Sequence, residues 1–228
     1  MSLVNFSFSV TWLVFGGLSL FFAFLWIMKT APWQKIKSDS SAQNVFIGTT
    51  LLLGFIWSAD VGTLFGIDFH LLMLATTVLM FGPQFAILSG IIALIIKYLV
   101  FIFVQNQLGS FYNIGIEAFV LVMLPVGIIW ILTKLSYKFL ERHFFVFVLF
   151  NGFFVAAFSL GVTLFAVVFL LWTSGVYSYE HLSQTFMPII PLLVFPEALV
   201  NSVLIALLVI LKPEWLSCFD DKQYLEGK

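Results

Sequence analysis

Five ionisable residues lie in or beside stretches that are otherwise apolar: Asp68, His70, Lys97, Glu117 and Glu197. An imidazole two positions from a carboxylate, as in Asp68-Phe69-His70, offers nitrogen and oxygen donors of the kind that suit a divalent transition-metal ion. Such a site normally takes three or more ligands, so further donors must come from elsewhere in the chain. Glu197 follows Pro196 deep inside an apolar run. A proline there frees a backbone carbonyl, which is tolerated only inside protein or beside water. Glu197 therefore either lines a polar cavity or pins a contact between helices. Lys97 could pair with an acid, but its long stem also lets the ammonium snorkel outward, and snorkelling is the expectation. Glu117 stands about four residues into an apolar run, within reach of an interface. His143 and His181 fall in polar connections and are expected to be solvated.

Every one of these groups is costly if its surroundings are lipid, about 2.5–3.5 kcal/mol each at a helix centre. The composition says that they are. The 228 residues are 62% hydrophobic and 9% charged, with a mean hydropathy of +1.12, whereas an ordinary globular chain carries about 25% charged residues. The apolar runs do not alternate with polar residues, as a membrane barrel would require. The fold class expected is all-α, a polytopic integral membrane protein forming one transmembrane domain over residues 1–228. Twenty-nine Phe and seven Trp fit lipid-facing surface and interfacial anchoring.

Seven runs are long or apolar enough to be read as spans: 6–28, 45–58, 69–81, 85–104, 114–133, 144–172 and 188–211. Gly82-Pro83 separates the third from the fourth. The first has no basic residue ahead of it and is read as a retained helix rather than a signal peptide. Lys29, Lys35 and Lys37 follow span one, Lys134, Lys138 and Arg142 follow span five, and Lys212, Lys222 and Lys228 follow span seven. The connections after spans two, four and six hold no Lys or Arg. The excess of bases on cytoplasmic loops then puts the amino terminus outside and the carboxyl terminus in the cytoplasm. Gly152-x-x-x-Ala156 and Ala157-x-x-x-Gly161 are expected to serve close packing within the chain.

Several function classes drop out. A net charge of −1 gives no electrostatic case for nucleic acid. The single Cys218 excludes an internal disulfide framework and a cysteine-cluster metal site. No nucleophile elbow, zinc-protease motif or phosphate-cradling Gly-Lys-Ser/Thr occurs, so the chain is not expected to be an enzyme or to hydrolyse nucleotide itself.

Val194-Phe195-Pro196-Glu197-Ala198, then Leu211-Lys212-Pro213-Glu214-Trp215 and Phe219-Asp220-Asp221, together with Phe69-His70-Leu71-Leu72, Phe81-Gly82-Pro83 and Leu88-Ser89-Gly90, resemble the CbiM/NikM family in a divergent proteobacterial branch. These are membrane-embedded substrate-binding components of energy-coupling factor transporters for cobalt and nickel. The resemblance covers nearly the whole chain and implies seven spans with the amino terminus outside. It implies a metal-binding His at the start of the third span, where His70 stands, and a site residue about eight positions before the proline of span five. Glu117 stands there in place of the family's Asn. Family members begin Met-His, whereas this chain begins Met1-Ser2-Leu3-Val4, so the amino-terminal chelate that the resemblance implies is not expected to form.

The expectation that follows is a permease-like binding component in the inner membrane, taking up Co²⁺ or Ni²⁺ with His70, Asp68 and Glu117 as candidate ligands. No tightly bound cofactor is expected. Its partners would be the bilayer, a separate transmembrane coupling protein and ATPase subunits. Two other readings compete: a non-transporting scaffold or regulatory subunit that kept the fold, and an intramembrane enzyme using Glu197 or Glu117.

Overall fold

A computed structural model describes residues 3, 6–59, 63–64, 67–68, 70–105, 111–141 and 143–219. Its elements are helices, apart from two two-residue strands, Thr63–Leu64 and Ile67–Asp68, which pair antiparallel. Helix α1 is Val10–Thr30, the short α2 is Trp33–Ser38 and α3 is Ser40–Ser58. Helix α4 covers Leu74–Gln105 with a break at Gly82. Helices α5 (Phe111–Phe139), α6 (Phe144–Thr173) and α7 (Tyr179–Leu211) complete the bundle. Five of these, α1 and α4 to α7, are long and apolar enough to cross a membrane. Phe21, Phe22 and Phe24 on α1, Phe55 on α3, and Phe158, Phe165 and Phe169 on α6 all face outward, which suits contact with lipid and would be a liability in water.

The break in α4 decides the path of the chain. Gly82 has φ 79° and ψ 172°, a backbone conformation that suits glycine alone, and Pro83 bars its predecessor from helical dihedrals. Before the break the chain runs antiparallel to α3: Trp57 stacks on His70 with ring centroids 5.3 Å apart, and Phe46 meets Phe81 at 5.4 Å. Beyond the break it runs parallel to α3. Phe46 also meets Phe85 at 5.6 Å, and the hydroxyls of Thr50 and Ser89 lie 2.9 Å apart. Further along, Gly54 packs against the Ile96 side chain. The chain thus turns back on itself at Gly82-Pro83.

The inward arm differs from the expected run over 69–81. His70 to Met73 are not helical, and only residues 74–81 coil. Eight helical residues rise only about 12 Å, so the non-helical stretch before them supplies the rest of the arm.

Prolines shape the later helices. Pro125 cannot donate to Leu121, and a wide π turn over Phe119–Met123 precedes it. A second wide stretch, Phe147–Phe154, opens α6. Close approach is built by glycine where backbones meet. Gly16 and Gly115 press α1 against α5, each leaving no room for a Cβ beside the other's backbone. A Cβ on Gly152 would sit 3.1 Å from the Ser202 Cα, so the small-residue pattern of α6 is used for packing against α7.

The segment after α7 folds back under the bundle. Ser217 and Cys218 donate their amides to the carbonyls of Met80 and Leu79 at 3.1 and 3.3 Å. The Tyr137 hydroxyl donates to the Cys218 carbonyl at 2.8 Å, and Phe219 packs edge-on against Phe147. The carbonyls at the end of the 74–81 helix lack intrahelical donors because Gly82 breaks the helix, and the tail supplies donors to two of them.

Candidate functional site

Two buried polar clusters hold three of the five ionisable groups singled out above, Lys97, Glu117 and Glu197, and a fourth, His70, lines a cavity beside the second. The first joins α4 to α5. Lys97 Nζ lies 2.7 Å from Glu117 Oε1, and the Tyr98 hydroxyl donates to Glu117 Oε2 at 2.8 Å. Adjacent residues on one helix therefore engage both oxygens of a carboxylate on the next. Glu117 is wholly buried and the Lys97 side chain is only 7% exposed. The snorkelling expectation for Lys97 is corrected: with a carboxylate within hydrogen-bond reach, the ammonium turns into the protein rather than toward an interface. α5 runs antiparallel to the second arm of α4, which brings Glu117 to the level of Lys97.

The second cluster joins α7 to the inward arm of α4. Glu197, 3% exposed, accepts the backbone amides of Leu72 at 2.8 Å and Met73 at 2.7 Å. One turn on, Asn201 Oδ1 accepts the Thr76 amide at 3.0 Å and its hydroxyl at 2.9 Å. Asn201 Nδ2 donates back to Glu197 Oε1 at 2.8 Å. Helix 74–81 starts with amides that no helical carbonyl can satisfy, and these side chains satisfy them across the bundle. Met73 has φ 57°, an uncommon conformation for a residue with a side chain. The turn it makes aims two successive N–H groups at one carboxylate. The positive end of the helix dipole faces the same group.

A cavity of about 260 Å³ opens beside this second cluster. His70, Leu71 and Leu72 from the non-helical stretch line it, with Leu121 of α5, Leu160, Thr163 and Leu164 of α6, and Leu192, Leu193, Pro196 and Glu197 of α7. Leu192 is 71% exposed, so the cavity reaches the surface of the bundle there. The Thr163 hydroxyl donates to the Ser159 carbonyl at 2.8 Å, leaving its lone pairs for the cavity. Pro196 removes the helical donor of the Leu192 carbonyl. Within this space an imidazole, a carboxylate and a hydroxyl can reach a solute whose remaining surface meets leucine.

His70 and Glu197 thus share one cavity, while Glu117 is committed to Lys97 and Tyr98 and is not among the cavity's described lining residues. The sequence had grouped His70 with Glu117, and the structure regroups it with Glu197. The side chain of Asp68 lies outside the described residues. Among the described residues, no three His, Cys, Asp or Glu side chains cluster as a metal site. His143 caps the start of α6 by accepting the Phe145 amide, and His181 stacks on Tyr177 at 5.2 Å.

Sequence reasoning missed Asn201, Thr76, Tyr98 and Trp57. Asn201 had a signal: two polar residues one turn apart, 197 and 201, in the stretch 186–211, which is otherwise almost wholly apolar. The partners of Glu197 had none, because they are backbone amides.

Long apolar helices and lipid-suited outer faces define a multi-pass membrane protein, with an interior polar site beside a cavity of solute size. The sequence model of CbiM, the cobalt uptake substrate-specific transmembrane region, matches residues 4–215, and the chain belongs to that family. It is therefore a membrane component of the cobalt-uptake type. No curated protein and no solved structure matches it.

Proposed function

We propose that the chain is the substrate-recognising component of an energy-coupling factor type uptake system for a divalent transition metal, cobalt or nickel, in the inner membrane. The observation that carries this reading is that His70 and Glu197 meet at one cavity. The imidazole of His70 coordinates the cation, and the Glu197 carboxylate balances its charge. Asp68, two residues from His70, is a further ligand within this reading. Glu117 acts instead as the counterion of Lys97.

The chain crosses the membrane seven times, with residues 70–81 as the third crossing, the amino terminus outside and the carboxyl terminus in the cytoplasm. Contacts along the bundle support this. One end gathers Phe6 with Asn113 and Tyr177. The other gathers Trp33 with Phe85 and Tyr137 with Cys218. Lys29, Lys35, Lys37, Lys134, Lys138 and Lys212 all belong to the second end by their positions along their helices, as cytoplasmic bases should. The cavity lies toward the end without them, open to a solute arriving from outside. Movement across the membrane would then depend on a coupling protein and ATPases supplied separately.

The test is cobalt and nickel accumulation in cells that carry this chain with its partner subunits. His70→Ala and Glu197→Gln should each lower accumulation at least about tenfold, at matched membrane abundance. Accumulation unchanged in His70→Ala overturns the site.

A further inference from the structure

The walls of the His70–Glu197 cavity are poorly suited to a metal ion in either of its simple forms. A bare divalent ion needs several protein donors, and the described lining provides one imidazole, one carboxylate and one hydroxyl. The carboxylate already accepts three hydrogen bonds, from Leu72, Met73 and Asn201. An ion with its full water shell brings about a dozen O–H donors, and most of the lining is leucine. Burying those donors or that charge against hydrocarbon is costly without partners. The space itself, about 260 Å³, is far larger than an ion and just under the range of drug-sized pockets. Its leucine-rich wall offers most of its area to an apolar surface rather than to water.

We infer that the cargo enters as a metal ion already held by a small apolar organic chelator, with its hydrocarbon or aromatic surface against the leucines. His70 takes a coordination position that the chelator leaves open, and Glu197 offsets the residual charge. The inference rests on the metal-uptake reading above and adds the chemical form of the substrate. Leu192 and Pro196 stand at the outer edge of the cavity, so the apolar part of the complex enters beside α7.

The shape of the site gives this its own test. The full chain, purified in lipid nanodiscs, is dialysed to equilibrium against three probes: Co²⁺ alone, the one-to-one complex of Co²⁺ with 2,2′-bipyridine, and bipyridine alone. Protein-bound metal and bipyridine are measured separately. The complex should bind at least about tenfold more tightly than Co²⁺ alone. His70→Ala should weaken the complex by a similar factor, and Leu164→Trp, which fills the cavity, should abolish its binding. Because a tryptophan at buried Leu164 can disturb folding, Leu192→Trp at the exposed mouth is the second variant and should weaken the complex while leaving thermal stability unchanged.

If Co²⁺ alone binds as tightly as its complex and still depends on His70, the chelate inference fails and the metal-uptake reading stands. If bipyridine binds equally with and without cobalt and His70→Ala has no effect, both fail. No binding of any probe also overturns both.

Discussion

Glu197 and Asn201, one turn apart on α7, hold the start of a helix from a distant part of the chain. Through them the cavity wall and the first turn of residues 74–81 become one unit, because the groups that shape the cavity also cap the helix. Glu197→Gln tests this joint. A glutamine of the same shape offers one oxygen where two amides need acceptors, and its NH₂ faces one of them. Leaving a buried donor unmatched costs about 1–3 kcal/mol. Thermal unfolding of the purified protein should show a loss of that order, and Asn201→Leu, which strands the Thr76 amide, should show a similar one. Wild-type stability in both variants would mean that the cluster does not tie the helices together.

The Lys97–Glu117 pair should behave as a unit. Removing one partner strands a buried charge, at about 3–5 kcal/mol. Replacing both with apolar residues of similar size removes the stranded charge. Lys97→Met and Glu117→Leu should therefore each destabilise strongly, and the double variant should be more stable than either. Additive losses in a double-mutant cycle would contradict the pairing. Metal uptake in the double variant should stay near wild type, which separates a counterion from a ligand.

The tail contact can be read through Cys218. Burial pushes its thiol above the ordinary range, so at neutral pH it holds less thiolate than a free cysteine. Its alkylation by a maleimide should be slow at pH 7, with a rate that climbs to a higher pH than for a free thiol. Tyr137→Phe removes the hydroxyl that donates to the Cys218 carbonyl, and should speed alkylation by loosening the segment. Equal rates in both proteins would show that this bond does not hold the tail.

Topology can be checked apart from function. In a Cys218→Ser background, single cysteines at Tyr112 and Glu180 should react with an impermeant reagent in intact cells. Cysteines at Lys37 and Lys138 should react only after permeabilisation. Labelling of all four positions in intact cells refutes this arrangement of crossings and the orientation with it.

The bundle was largely legible in the sequence because hydropathy reports burial in lipid directly. The runs over 6–28, 85–104 and 144–172 agree with helices to within a few residues, whereas α3, α5 and α7 extend further than expected. The inward arm was less legible. His70-Leu71-Leu72-Met73 is as apolar as a helix turn, and apolarity alone does not distinguish an extended stretch from a coiled one. The polar pairings were half legible. Position along a span gives the depth of Glu117 and of His70, and so grouped them at one end. It gives no rotation about the helix axis, and rotation is what turns Glu117 to Lys97 and leaves His70 beside Glu197.

The coordination of cobalt acquired by the protein in living cells tests the site most directly. Cells carrying the chain and its partners would be grown with cobalt, the protein purified, and X-ray absorption recorded at the cobalt edge. The expected spectrum contains imidazole scattering in the wild type and none in His70→Ala at equal protein. Cobalt retained with identical imidazole scattering in both proteins would show that His70 is not the ligand and that the cavity beside Glu197 is not the metal's site.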